Sequence, residues 1–330
     1  MRIARLSAAL VAATLFACVG ETNDAGSESV EASESALSEY RLEVKTSATS
    51  IQAGGSVPLA IRVLGANGVP VTEFDDLHTQ VMHMVAVSSD LTDFVHIHPA
   101  LGANGVLTID APVALAQPYR MFFEYDPSGG GTNPQTNRAT MRPSGSAAVA
   151  PNLAAAGAAI FSGSAARSVL VGDTRVELAP QAHGMIMPGM ATTLRAAVKT
   201  AAGAPATDMV DWLGMPGHAI VLSEDASTFI HAHGMHPGAG GHGGHGGEPG
   251  GTGTSSSGGH GGHTMPPAAP APVDPHAGHG SAPAPVAPDS SNLLDIEVTF
   301  PSAGLYKIFV QTKRGENVVT APFVVRVMAM

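Results

Sequence analysis

Two stretches of the chain carry histidines at spacings that metal sites use. Met82–His98 reads MHMVAVSSDLTDFVHIH and Gly217–His233 reads GHAIVLSEDASTFIHAH, aligned without a gap at an offset of 135 residues. His83 matches His218, His96 matches His231, and His98 matches His233; Ser88/Ser223, Asp90/Asp225 and Phe94/Phe229 are also identical. In an extended strand side chains alternate with period two, so each His-x-His pair lies on one face. If the connection is Ser89–Thr92, His83 falls directly opposite His98, with Cβ atoms about 5 Å apart. Three imidazoles then converge in each copy. A slip of one residue would send His83 to the other face and dissolve the triad.

Neutral imidazole is the commonest protein ligand for zinc and copper, and two paired strands hold three rings at little entropic cost. Met82 and Met84 accompany the first triad, Met215 and Met235 the second, and His183, Met185, Met187 and Met190 form a separate run. Soft thioethers beside imidazoles favour copper, Cu(I) in particular, with zinc second, and Met84 and Met215 are the thioethers expected at the sites. On the competing reading the histidines are structural, Asp90 and Asp225 cap turns, and the methionines fill gaps in the core. Because only neutral imidazole ligates, affinity is expected to fall steeply below about pH 6.

A third concentration of histidine lies in residues 237–290, which are otherwise Gly, Pro, Ser and Ala. Gly-His-Gly-Gly-His occurs twice, giving His242/His245 and His260/His263, and His276/His279 form a further pair. Such a composition buries almost nothing and predicts disorder. It reads as a flexible chelating arm or as a solubilising linker.

The elements that position the triads repeat as well. At the same offset lie Ile51/Ile186, Gly54/Gly189, Leu59/Leu194, Val63/Val198, Pro70/Pro205, Thr72/Thr207 and Asp76/Asp211. Downstream, Tyr119-Arg120-Met121-Phe122 corresponds to Tyr306-Lys307-Ile308-Phe309. Two homologous modules follow. Alternation in Arg41–Val44, Pro58–Val63, Met84–Val87 and Tyr119–Phe123, with turn signals roughly every ten residues, predicts an all-β chain. The expected architecture is two tandem immunoglobulin-like antiparallel β-sandwich domains, residues 40–142 and 170–330, the second carrying the disordered 237–290 insert. An Ala/Ser/Gly linker, 143–169, joins them.

Arg2 and Arg5 precede an apolar run, Leu6–Phe16, that is too short to span a membrane and reads as a signal peptide over residues 1–17. Leu15-Phe16-Ala17-Cys18 resembles a bacterial lipobox, which makes Cys18 the expected lipidated N-terminus; plain signal-peptidase cleavage is the alternative. Residues 18–39, acidic and serine-rich, then form a polar tether. Val19 lacks the acidic retention signal, which favours the outer membrane of a Gram-negative cell.

Composition excludes several classes. Charged residues make up 13% and the net charge is −11, which argues against nucleic-acid binding. A single cysteine rules out a disulfide framework, and a blue-copper electron carrier needs a cysteine ligand. Neither His-Glu-x-x-His nor Gly-x-Ser-x-Gly occurs, and the chain is expected not to be an enzyme.

His83, Asp90, Leu91, Phe94, His96, His98 and Pro99 together resemble the YtkA-like modules of secreted bacterial proteins. The resemblance covers 40–142, then 170–235 with 291–328; the second copy departs at Ala226 and Gly234, where the pattern has Leu and Pro. It implies an immunoglobulin-like sandwich and an association with copper or heavy-metal handling. Two functional readings stand. One is an envelope-anchored lipoprotein that sequesters or relays a metal through paired three-histidine sites and the histidine-rich arm. The other is a non-catalytic scaffold or adhesion lipoprotein that binds an envelope partner and whose histidines are structural.

Overall fold

In the computed structural model the described residues are 29–33, 39–129, 134–154, 160, 166–181, 185–238 and 291–329. The signal peptide, Cys18, His183 and the six histidines between 242 and 279 lie outside them.

The first module begins with β1 (Ser29–Ser33), β2 (Arg41–Thr46), β3 (Gly55–Leu64), β4 (Phe74–Asp75) and β5 (Met82–Ser88). It continues with β6 (Phe94–Ile97), β7 (Ala100–Leu101), β8 (Val106–Val113), β9 (Tyr119–Pro127) and β10 (Gln135–Arg142). Two antiparallel sheets result, β1-β10-β9-β5-β6, with β4 beside β9, and β2-β3-β8-β7. Their inner faces meet in one core that includes Leu42, Leu59, Ile61, Leu107, Met121 and Phe123. β1 falls within the stretch expected to be a tether. It pairs with the edge strand β10 from Ser29↔Arg142 to Ser33↔Arg138, a ladder made by the backbone that asks little of side-chain hydrophobicity.

The second module repeats the plan in β11 (Arg167–Val171), β12 (Thr174–Pro180), β13 (Ala191–Thr200), β14 (Met209–Val210) and β15 (Gly217–Ser223). Then follow β16 (Phe229–Met235), β17 (Leu293–Thr299), β18 (Gly304–Arg314) and β19 (Asn317–Val327). Its two layers are one continuous sheet, because β16 runs on to pair with β17 at Gly234↔Ile296 and Met235↔Asp295. In module one Pro99 separates β6 from β7 at the matching place, since proline has no N–H to give a ladder. Gly234 imposes no such break, and a Cβ there would sit 3.2 Å from Leu294 Cβ, so the strand crosses where only glycine fits easily.

The modules are not beads on a string. All seven residues of β5 are buried, on both faces of the strand. Met82, Met84 and Ala86 point into the module's own core, whereas Val85 and Val87 join Leu91, Phe122, Ile220, Leu222, Phe309 and Val324 in a second apolar cluster between the modules. Phe94 stacks on Phe309 at 4.1 Å and Phe122 on Phe229 at 4.5 Å. Phe94 corresponds to Phe229 and Phe122 to Phe309, so the two stacks are one contact made twice about a pseudo-two-fold axis. Leu153 of the linker is buried in the same cluster, and Ile160 is fully buried and bridges to Val325. The linker therefore contributes apolar anchors that its alanine-rich composition did not advertise.

Candidate metal centre

The hairpin register brings the histidines of each module to one face. β15 and β16 pair His218 directly with His233 and Ile220 with His231. β5 and β6 pair Val85 with His96 and Met84 with Ile97, the same register as in module two. The connections are tight because each aspartate satisfies its own loop. Ser88 Oγ donates to Asp90 Oδ1 (2.6 Å) and Thr92 N to the same oxygen (3.0 Å); Ser223 Oγ and Ser227 N do likewise to Asp225, at 2.6 and 3.0 Å. Asp90 and Asp225 are thus turn caps, as the structural reading of the sequence had them.

This histidine face is the outer face of each sandwich, and the modules bury it against each other. Ring centroids lie 4.8 to 5.3 Å apart among His83, His96 and His98, and 5.1 to 5.3 Å among His218, His231 and His233. Across the interface His83 and His96 approach His231 at 5.1 and 5.4 Å. One cluster therefore holds all six repeated histidines. Ligand atoms within 4.8 Å of one another occur in two groups, His83/His96/His231 and His218/His231/His233.

Four participants were not foreseen. His78 occupies the tip of a turn from Leu77 to Gln80, with φ of +51° there and +67° at Thr79. Two consecutive left-handed residues define a type I′ turn, an uncommon conformation for side chains such as these. It places the His78 ring 4.0 Å from that of His233. Trp212, in the equivalent turn of module two, lies with its ring 5.5 Å from that of His96 and 5.3 Å from that of His218. Glu124 on β9 and Gln311 on β18 occupy matching positions, each reaching across to the other module. His231 Nδ1 donates to Glu124 Oε2 at 2.6 Å, and His96 Nδ1 donates to Gln311 Oε1 at 2.7 Å.

These bonds determine where the lone pairs point. Amide and backbone oxygens only accept, and so does the Glu124 carboxyl group once ionised, so in that state the ring nitrogen facing each one carries the proton. His83 Nε2 donates to the Leu77 carbonyl at 2.8 Å, which leaves Nδ1 as the lone-pair nitrogen of the neutral ring. His96, tied through Nδ1, keeps its lone pair on Nε2. Those two nitrogens face each other at 3.0 Å, and with the tautomers those bonds set neither has a hydrogen to give. Nε2 of His98, Nε2 of His231 and both ring nitrogens of His218 are buried without a hydrogen-bond partner among the described residues.

Protons do not resolve this crowding. Burial lowers His83 to about 4, with a backbone bond to Leu77 pulling the other way, and burial likewise lowers His98 to about 4. His96 and His231 are held well below the ordinary histidine value, first by burial and then by neighbouring histidines, and His218 is lowered in the same way. Burial pushes Glu124 up to about 7 against the pull of His83. Near pH 7 His83, His96, His98, His218 and His231 are neutral, buried or half-buried donors.

The expected thioethers do not all arrive. Met84 is fully buried in the core of module one, on the face of β5 opposite His83, because adjacent strand residues point to opposite sides. Met82 shares its fate. Met215 closes the turn with Trp212 through paired backbone bonds of 2.8 and 3.2 Å, beside the cluster but in the turn that supports it.

A family model described as a domain of unknown function, DUF8832, matches residues 35–139, 169–255 and 276–329. The chain belongs to that family. The match replaces the YtkA-like assignment that the motif suggested, and it carries no statement about metals. No curated protein matches the sequence. Among solved structures the chain is similar to the Escherichia coli adhesin FdeC, with 12% identity, a TM-score of 0.24, and coverage of 89% of this chain and 66% of that one. It is also similar to invasin, a bacterial integrin-binding protein, at 9% identity and a TM-score of 0.22, covering 88% of this chain and 39% of that one. A two-domain fibronectin type-III segment of chicken tenascin matches at 8% identity and a TM-score of 0.19, covering 86% and 98%. The chain thus spans less than two thirds of the adhesin and of invasin. No helix among the described residues is long and apolar enough to cross a membrane.

Proposed function

We propose that this family member binds a transition metal between its two modules and serves in metal sequestration or relay at the bacterial envelope, anchored through Cys18. The observation that carries the reading is the facing pair of lone pairs on His83 Nδ1 and His96 Nε2, 3.0 Å apart. Two ligands on one ion, each about 2.0 to 2.1 Å from it, sit roughly 3 to 3.4 Å from each other. An ion converts an electrostatically unfavourable contact into two bonds. The anchoring of His96 by Gln311 and of His231 by Glu124 is the outer-shell pattern of metal-bound imidazole, which fixes the tautomer and aims Nε2 inward.

The donors brought together are imidazoles, a set that suits Cu(II) and Zn(II). With Met84 in the core, the thioether argument for Cu(I) loses its main support. The histidines of the 237–290 segment supply a capture arm on the same chain. In the competing scaffold reading the histidines are structural; it is disfavoured because a structural cluster would be expected to pair its buried nitrogens rather than oppose them.

The test is competitive titration of Cu(II) and Zn(II) into the full chain with His242, His245, His260, His263, His276 and His279 changed to alanine. Binding tight enough to compete with a chelator is expected, weakened at least 100-fold by His96→Ala or His231→Ala. No binding by the parent variant would leave any metal chemistry to the 237–290 segment and return the scaffold reading to first place.

A further inference from the structure

We infer that the cluster is a dinuclear centre, with one ion on His83, His96 and His98 and a second on His218, His231 and His233, and with the second position filling first. This rests on the metal-binding reading above. It goes beyond that reading in stoichiometry, ligand assignment and order of filling.

A neutral imidazole has one lone pair to give. His231 commits Nδ1–H to Glu124, so Nε2 is its only donor and cannot serve both groups of clustered ligands at once. Any single ion therefore leaves part of the cluster unresolved. Placed on His83, His96 and His231, it leaves Nε2 of His98 and both nitrogens of His218 buried without partners. Placed on His218, His231 and His233, it leaves the lone pairs of His83 and His96 opposed at 3.0 Å. Two ions relieve the opposed lone pairs and give His98 and His218 one bond each, leaving a single N–H of His218 without a partner among the described residues. His98 takes the place of His231 in the first set: its ring lies 4.8 Å from that of His83 and 5.0 Å from that of His96, and it must turn to bring a nitrogen to the ligand atoms that His231 now approaches.

The pseudo-two-fold axis supports the same division. The reciprocal phenylalanine stacks and the reciprocal Nδ1 anchors show that each triad stands in the same relation to the opposite module. Ring-to-ring distances of 5.1, 5.4 and 6.3 Å across the interface keep the two sets in one neighbourhood, so their ions interact. The halves nevertheless differ in charge. The anchor of His231 is a carboxyl group, Glu124, whereas that of His96 is the neutral amide of Gln311. A carboxylate behind a ligand raises its basicity and offsets the ion's charge, so the His218/His231/His233 position binds first and the second ion enters against repulsion.

The experiment loads the full chain carrying the six alanine substitutions in 237–290 with Cu(II), removes loosely held copper, and measures the copper-to-protein ratio together with the electron paramagnetic resonance spectrum. Two coppers per chain are expected. The first equivalent should give an isolated-copper signal, and the second should bring a half-field transition or a spin count well below the copper content. His98→Ala, at the half-buried rim, should hold one copper with an uncoupled signal, and His218→Ala should do the same. One copper in the parent, unchanged by His98→Ala, overturns the dinuclear assignment and leaves the metal-binding reading intact. Two coppers with two isolated signals overturn the single centre. No copper at all overturns both. Should His218→Ala lose its fold by circular dichroism, His98→Ala decides alone.

Discussion

The two modules present the same hairpin with the same three histidines, yet they meet the interface with different supporting residues. Module one offers Glu124, His78 and the Leu77 carbonyl; module two offers Gln311, Leu213 and Trp212 at the matching places. His83 is tethered to Leu77 at 2.8 Å, while neither nitrogen of its counterpart His218 has a hydrogen-bond partner among the described residues. Duplication accounts for what is shared: sandwich, register, capped loop and triad. Among the differences, those where one module touches the other matter most, because there two like halves become two unlike sites. An isolated copy of either module would expose the histidine face to water.

The strongest way to break the comparison is to remove the packing that enforces it. Phe122→Ala and Phe309→Ala each delete one fully or nearly fully buried ring of a reciprocal stack. Each should cost about 3 to 5 kcal/mol in urea unfolding, and by similar amounts if the interface is isologous. A cost near zero would mean that the modules do not depend on each other.

Acid probes the buried rings next. A histidine whose folded value is depressed is protonated in the unfolded chain before it is protonated in the folded one. Between about pH 6.5 and pH 4 the unfolded state therefore binds more protons, and stability falls as the pH drops through that window. Above about pH 6.5 the contribution is flat. His83 alone, lowered to about 4, corresponds to roughly 3 kcal/mol lost by the metal-free protein across the window. Thermal unfolding at pH 7.5, 6 and 4.5 reads it directly. A melting temperature that does not change over this range would contradict the dry, neutral cluster. The same burial moves the acid limit of metal binding below the pH 6 that unperturbed imidazole suggests.

A smaller effect sharpens the contrast between the anchors. Glu124→Gln makes the two halves alike and should weaken the first metal-binding step about 10-fold, or ~1.4 kcal/mol, with little change in fold. Gln311→Glu should strengthen the weaker step. Equal affinities before and after either change would show that the anchors only orient the rings.

Much of this was legible in the sequence, and the parts that were not share a cause. The constant offset from Ile51 to His98 revealed the modules, and period-two alternation gave the hairpin face. Repetition also concealed: His78 aligns with Leu213, so a search for shared histidines passes over it. Glu124 and Gln311 correspond only after the longer insert of module two is allowed for, and they differ in type. Met84 and its neighbour His83 cannot share one face of β5; alternation alone sends one of the two to the core. The docking of the modules does leave a local signal. Met82–Val87 is apolar on both faces apart from His83, the pattern of a strand covered on both sides. No local pattern, however, specifies which surface does the covering. That is a long-range complementarity, visible only once Phe94 and Phe309 are seen in contact.

On this reading imidazoles from both modules ligate a metal in the folded core. X-ray absorption at the metal edge, on protein with the six 237–290 histidines replaced and loaded with Zn(II) or Cu(II), tests it most directly. The expected spectrum has nitrogen neighbours at about 2.0 to 2.1 Å with the multiple scattering of imidazole rings and no sulfur shell near about 2.3 Å. An oxygen-only shell without imidazole scattering, or a sulfur shell, would place the metal outside the cluster and contradict the account.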